Sequence, residues 1–117
     1  MGPNELTGIP VKFYRTSAGG SPVLDWLRGL SSNDRFMIGE DLRSVQFGWP
    51  IGMPLCRPLG AGLWEVRSAL TSGRIARLLF CMHEGKIGVL HGFIKKTKNT
   101  PPNELELARR GMKEMQT

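Results

Sequence analysis

Residues 63–94 read LWEVRSALTSGRIARLLFCMHEGKIGVLHGFI, and this stretch decides the fold. Leu63 to Ser68 alternates apolar and polar residues and is rich in strand formers. Arg74 to Met82 is a longer run of the same kind. Lys86 to Ile94 is a third. Leu70-Thr71-Ser72-Gly73 and Glu84-Gly85 supply the turns between them. Three strands joined by short turns predict an antiparallel meander.

Upstream of the meander the period changes. Val11 to Thr16 alternates and predicts a first strand, which Ala18-Gly19-Gly20 ends. Ser21-Pro22 opens a helix: Ser suits the N-cap, and Pro at the first helical position loses no hydrogen bond. Val23, Leu24, Leu27 and Leu30 form its apolar stripe, with Trp26 on a flank. After Ser31-Ser32-Asn33 a second helix runs to about Phe47. It carries Ile38, Leu42, Val45 and Trp49 at helical spacing, and Gly48 and Pro50 stop it. The two helices predict a helical hairpin. Residues 51–62, with three Gly and two Pro, read as a loop. A last helix is expected from Asn103, with Glu106 completing a capping-box-like start and Leu105, Ala108 and Met112 as its stripe. The predicted order is β-α-α-β-β-β-α. This is an α+β fold, an antiparallel sheet with the N-terminal helical hairpin packed on one face and a C-terminal helix. Residues 1–117 form a single domain in this reading, with 1–10 a loose lead-in.

The chain has 117 residues, enough to bury one core without staples. Cys56 and Cys81 have no paired spacing and read as reduced thiols of a cytoplasmic protein. No run of about 18 apolar residues is present, so no membrane span is expected. The first residues, Met1-Gly2-Pro3-Asn4-Glu5, lack the basic and apolar segments of a signal peptide. Charge is uneven. Residues 1–56 hold five basic and five acidic side chains, and residues 57–117 hold eleven basic and five acidic, the whole net charge of +6. A basic half points to a polyanion or an acidic protein partner.

Chemistry narrows the candidates. Two His and two Cys without ligand spacing predict no metal site and no cofactor. No nucleophile elbow and no Walker loop occurs. Glu104 and Glu106 suit the positive end of a helix dipole. The cations remain. Arg67 and Arg77 sit inside strands, where an unpaired charge is costly. Two readings stand: an Arg paired with Glu65 or snorkelling at the sheet edge, or an Arg aimed across an open face at a phosphate, where its fork makes two bonds. Arg57, Arg74, Lys95, Lys96 and Lys98 are candidates for the same face or its rim. Such a set suits RNA cleavage without a metal. The 2′-hydroxyl attacks the adjacent phosphate, cations stabilise the phosphoryl charge, and a Lys or His moves the proton.

Three segments in order carry a resemblance. They are Pro58-Leu59-Gly60-Ala61-Gly62-Leu63-Trp64-Glu65-Val66-Arg67, then Gly73-Arg74-Ile75-Ala76-Arg77-Leu78-Leu79-Phe80, then Leu90-His91-Gly92-Phe93-Ile94-Lys95-Lys96-Thr97 with Thr100-Pro101-Pro102, Glu104, Glu106, Ala108 and Arg110. Together the chain resembles the RelE/ParE toxin superfamily, and within it the HigB or phage Gp49-like branch, over roughly residues 10–115. The resemblance implies a cytoplasmic toxin of a type II toxin–antitoxin pair that cuts mRNA on the ribosome. Its partners would be a cognate antitoxin, expected to be of helix-turn-helix type, and mRNA with the ribosome. DNA would be met only through the antitoxin complex, and no membrane is involved. The resemblance implies Arg77 as the contact to the scissile phosphate, Arg67 as a second basic residue, and Lys95 and Lys96 as the cations after the last strand. His91 has both a structural and a catalytic reading. The chain departs from the RelE pattern in having Tyr14 as its only Tyr, and it lacks the acid-Tyr-His ending of some HigB proteins. Two other readings follow from the superfamily: a ParE-like inhibitor of gyrase, and a relative that only binds its antitoxin.

Overall fold

The computed structural model describes residues 8–95 and 99–117, Lys95 by its backbone alone. The lead-in through Thr7, and Lys96, Thr97 and Lys98, lie outside the described residues.

The alternating segments form one five-stranded sheet. Its strands are β1 (Val11–Phe13), β2 (Cys56–Gly60), β3 (Leu63–Ala69), β4 (Ile75–His83) and β5 (Lys86–Lys95), in spatial order β1-β5-β4-β3-β2. The β3-β4-β5 meander is antiparallel, as its short turns require. Between β4 and β5, Glu84 and Gly85 both have positive φ, 50° and 74°. That pair of dihedrals matches the right-handed twist of a hairpin, and Gly adopts it without a Cβ clash. Between β3 and β4 the turn is a short 3-10 segment, Thr71–Gly73.

Two strands depart from expectation. Residues 56–60, expected as loop, form β2 and pair antiparallel with β3. Its composition hides it, but an edge strand tolerates Pro58, whose missing N–H faces outward. A register shift between Pro58 and Gly60 ends the pairing. β1, expected in an antiparallel sheet, is shorter than its alternating run and pairs parallel to β5. Alternation identifies a strand but carries no information about its partner.

The helices are α1 (Pro22–Arg28), α2 (Ser32–Gly48) and α3 (Pro102–Met115). Ser21 holds the N-cap position of α1, but its hydroxyl donates to the carbonyl of Tyr14 instead of capping the helix. Ser31 does cap α2, accepting the Asp34 amide at 3.1 Å. α3 starts earlier than the capping-box reading placed it. Pro101 is the N-cap and Pro102 the first helical residue, so Asn103 lies inside the helix. Pro at that position brings a preset φ and costs no bond.

Period-2 alternation gives the sheet two apolar faces, and each has its own helical layer. One face carries Val66, Ala76, Leu78, Phe80, Ile87 and Val89, packed with Val23 of α1 and Ile38 and Val45 of α2. Trp49, following α2, meets Trp64 and Phe80 edge to face at centroid distances of 4.8 and 5.4 Å. The other face carries Leu63, Leu79, Cys81, Leu90 and Phe93, packed with Ala108 and Met112 of α3. The sheet is therefore sandwiched, with α3 opposite the hairpin. Arg109 pins α3 to the edge by donating to the carbonyls of Leu59 and Gly60 at 3.0 and 3.2 Å. Tyr14 donates to Glu114 and ties the far end of α3 to the segment after β1. That hydrogen bond raises the Tyr14 phenol above its usual value. No helix among the described residues is long and apolar enough to cross a membrane.

Two contacts generate predictions. A Cβ built on Gly92 would stand 2.6 Å from Cε3 of Trp26, so Trp26 can lie on β5 only because residue 92 has no side chain. Gly92→Ala is expected to lose about 1–3 kcal/mol of unfolding free energy by overpacking, measured by urea titration. An unchanged midpoint would contradict the close packing.

The second contact is Arg74–Asp34, with the two terminal guanidinium nitrogens on the carboxylate at 2.8 and 2.9 Å. It ties the N-terminal turn of α2 to the β3–β4 turn, and Arg74 holds the Asp34 carboxyl below its usual value. A depressed carboxyl contributes stability above its unfolded-state value, and that contribution is lost as pH falls through the folded-state value. Asp34→Asn is expected to flatten the acid limb of the stability-versus-pH curve, below about pH 4, while the neutral-pH slope stays the same. An unaltered acid limb would count against the pair.

Candidate functional site

On the face that carries α3, the strand register lays side chains out in rows. Arg57, Glu65, Leu79 and His91 are cross-strand neighbours. The next row holds Arg67, Arg77 and Phe93, and the one beyond it Ala69, Ile75 and the backbone position of Lys95. Alternation along each strand forces this arrangement: residues 65 and 67 share a face, as do 75, 77 and 79.

At the centre is a buried ion pair. Arg77 is 1% exposed and Glu65 is fully buried, and Nη1 of Arg77 donates to Oε1 of Glu65 at 2.6 Å. The second carboxylate oxygen accepts the Thr100 hydroxyl at 2.7 Å. Arg57 stands 3.5 Å from Oε1 and is partly exposed. One carboxylate thus gathers β2, β3, β4 and the segment that enters α3. Of the two readings left open for Arg77, the structure adopts the pairing with Glu65. Arg77 does not face solvent.

Arg67 lies directly across from Arg77. Like charges in opposed positions repel. Glu65 answers Arg77, yet the Arg67 side chain makes no hydrogen bond or ion pair among the described residues, and its Nε is buried without a partner. Arg77 and Arg57 share the one buried Glu65 carboxylate and Arg67 adds a third permanent charge, leaving an excess of positive charge on this face. The face is open at its Arg67 end. A groove of about 330 Å³ lies there, lined by Asp41, Pro54, Leu55, Arg67, Ala69 and Ile75.

His91 is partly buried, and its ring stands over Phe93 at a centroid distance of 5.7 Å. Nε2 of His91 is 3.3 Å from the Glu104 carboxylate without forming a hydrogen bond to it. Glu104 comes from the first turn of α3. An imidazole beside a carboxylate, one row from the arginines, is a group that can move a proton.

The other candidates divide. Arg57 joins the site. Arg74 does not: its position puts it toward the hairpin, where Asp34 and the carbonyl of Thr71 take its donors. Lys95 ends β5 in the row of Ile75, while Lys96 and Lys98 fall outside the described residues. Both cysteines are buried free thiols. Burial pushes Cys56 up to about 11 and raises Cys81, so neither is a ready nucleophile at neutral pH. Sequence reasoning missed Thr100 and Asp41. Thr100 had a signal only in the quoted family segment, and Asp41 looked like one more solvent-facing charge on a helix.

A protein-family model described as Phage derived protein Gp49-like (DUF891) matches residues 25–113. No curated protein matches the chain.

Removing one member of a buried ion pair leaves the other charge without compensation, at a cost of about 3–5 kcal/mol. Glu65→Ala and Arg77→Ala are each expected to lose stability of that order in chemical denaturation. Arg67→Ala, which breaks no bond among the described residues, is expected to change stability by under about 1 kcal/mol. Equal losses for Arg67→Ala and Arg77→Ala would contradict the different roles.

Proposed function

The chain belongs to the phage-derived Gp49-like family, a family of RelE/HigB-like toxins, and from that membership we propose that it is the toxin of a type II toxin–antitoxin pair and cuts mRNA on the ribosome. In this reading the protein acts in the cytoplasm, and a cognate antitoxin holds it inactive by covering the basic face.

The observation that supports the reading best is the arginine row. An unpartnered Arg67 beside a paired Arg77 is an unfavourable arrangement for a protein alone. It becomes favourable when a phosphate arrives, because a guanidinium fork makes two charge-assisted bonds to phosphate oxygens. In the proposed reaction the ribose 2′-hydroxyl attacks its own 3′-phosphate, forming a 2′,3′-cyclic phosphate while the P–O5′ bond breaks and the next nucleotide leaves with a 5′-hydroxyl. Arg67 and Lys95 take up the charge that develops on the phosphoryl oxygens. His91, oriented by Glu104, takes the proton from the 2′-hydroxyl and gives one to the departing 5′-oxygen. Arg77 holds the platform through Glu65 and adds positive potential from beneath.

Expression of the chain in a bacterial host, with primer extension on a translated reporter, tests this. Cleavage is expected only in translated mRNA. Arg67→Ala is expected to reduce it about 10²–10³-fold, the scale for losing one preorganised donor, and Lys95→Ala and His91→Ala to reduce it as well, each with the thermal midpoint kept. Arg77→Ala cannot serve, because it also removes the buried pair. Intact mRNA in growth-arrested cells with poisoned gyrase would overturn the endonuclease and favour a ParE-like inhibitor. Intact mRNA without arrest would favour a protein that only binds its antitoxin.

A further inference from the structure

The groove at the Arg67 end has a composition that the phosphate chemistry does not use. It opens where α2, the segment before β2, and the ends of β3 and β4 meet. Pro54, Leu55 and Ile75 give it apolar walls. Asp41 and Arg67 give it one charge of each sign, yet the two form no ion pair within 4.0 Å. The Asp41 carboxylate makes no hydrogen bond or ion pair among the described residues either, and the one group there on which its charge acts is the Cys56 thiol, raised first by burial and then by Asp41. Asp34, on the same helix, is matched by Arg74.

Two opposite charges that line one groove and do not meet leave room for a molecule between them. Such a molecule must carry an anion for Arg67 and hydrogen-bond donors for Asp41, with a flat apolar body between. A nucleotide has these three parts in that order. A volume of about 330 Å³ suits a ligand at the small end of the usual range for pockets.

The base can be chosen by its donors. A carboxylate has two acceptor oxygens and no donor. Guanine offers N1–H and N2–H side by side and can satisfy both oxygens. Adenine and cytosine each present one amino group beside an acceptor nitrogen, which a carboxylate repels. Uracil presents a single imino N–H between two acceptors. We propose that this groove is a nucleotide subsite in which Arg67 binds the phosphate and Asp41 selects guanine by a two-point contact to its Watson–Crick edge. The proposal rests on the RNA-cleaving reading for its biological meaning, but the binding site itself does not need the ribosome.

Titration of the isolated full chain with the four ribonucleoside 3′-monophosphates, followed by amide chemical shifts, tests it. Guanosine 3′-monophosphate is expected to bind about tenfold or more tightly than the other three, within the range for one bidentate base contact, and to shift the amides of residues around 41, 55, 67–69 and 75. Asp41→Asn is expected to abolish the preference while retaining weak binding of all four. Arg67→Ala is expected to weaken all four alike. Equal affinity for the four nucleotides, a preference unchanged in Asp41→Asn, or shifts confined to another face would each overturn the subsite. Guanine selectivity without mRNA cleavage would leave the subsite standing and remove the endonuclease. Cleavage in cells with no selectivity in the titration would do the reverse.

Discussion

Everything on the α3 face depends on one buried carboxylate. Glu65 is fully buried, and it is tolerated because Arg77 and Thr100 each satisfy one of its oxygens while Arg57 stands close by. A buried charge without such partners would cost several kcal/mol, on the order of the penalty for a desolvated ion. The constraint runs both ways. Arg77 can sit in the interior of β4 only because β3 delivers Glu65 to the same face one register step away. Thr100 then fixes where the chain must pass before α3 begins, and so sets the position of Glu104 against His91.

This arrangement divides the labour among the arginines. Arg77 is committed to the interior, Arg57 leans on the same carboxylate from the edge, and Arg67 is left without a partner at the open end. The hairpin side of the sheet serves a different purpose. There the packing of Trp26 on Gly92, the Trp49 contacts and the Arg74–Asp34 pair hold the sheet against two helices. One face supplies stability, and the other combines a packed half under α3 with a charged half outside it.

Much of the fold was legible in the sequence. The 63–94 meander, the helical hairpin and the C-terminal helix follow from periodicity, because burial on one face forces it. β2 was not legible, since Pro58 and Gly60 look like loop residues and only the exposed edge of β3 makes them a strand. Nor was the parallel pairing of β1, which depends on a non-local partner. In the site, Arg67, Arg77 and Arg57 fall on one face, as alternation along their strands suggests; that His91 stands on the same face was not read, because it depends on the register between β4 and β5. That Arg77 is buried and Arg67 open could not be read, because both occupy equivalent alternating positions. The difference comes from the reach of Glu65 and from where α3 stops covering the sheet. Arg74 misled for a similar reason: its neighbour in sequence is Ile75, but its partner is Asp34, forty positions away.

The central claim is that two opposed arginines have unlike tasks, Arg77 holding the platform and Arg67 meeting the anion. The Nε–Hε signals of the two side chains report on this directly. They would be followed by NMR while the chain is titrated with a short all-deoxy oligonucleotide that cannot be cleaved. The account predicts a saturable shift of the Arg67 signal, with the Arg77 signal unmoved and slow to exchange with solvent. An Arg77 signal that moves and begins to exchange, with Arg67 unaffected, would contradict it.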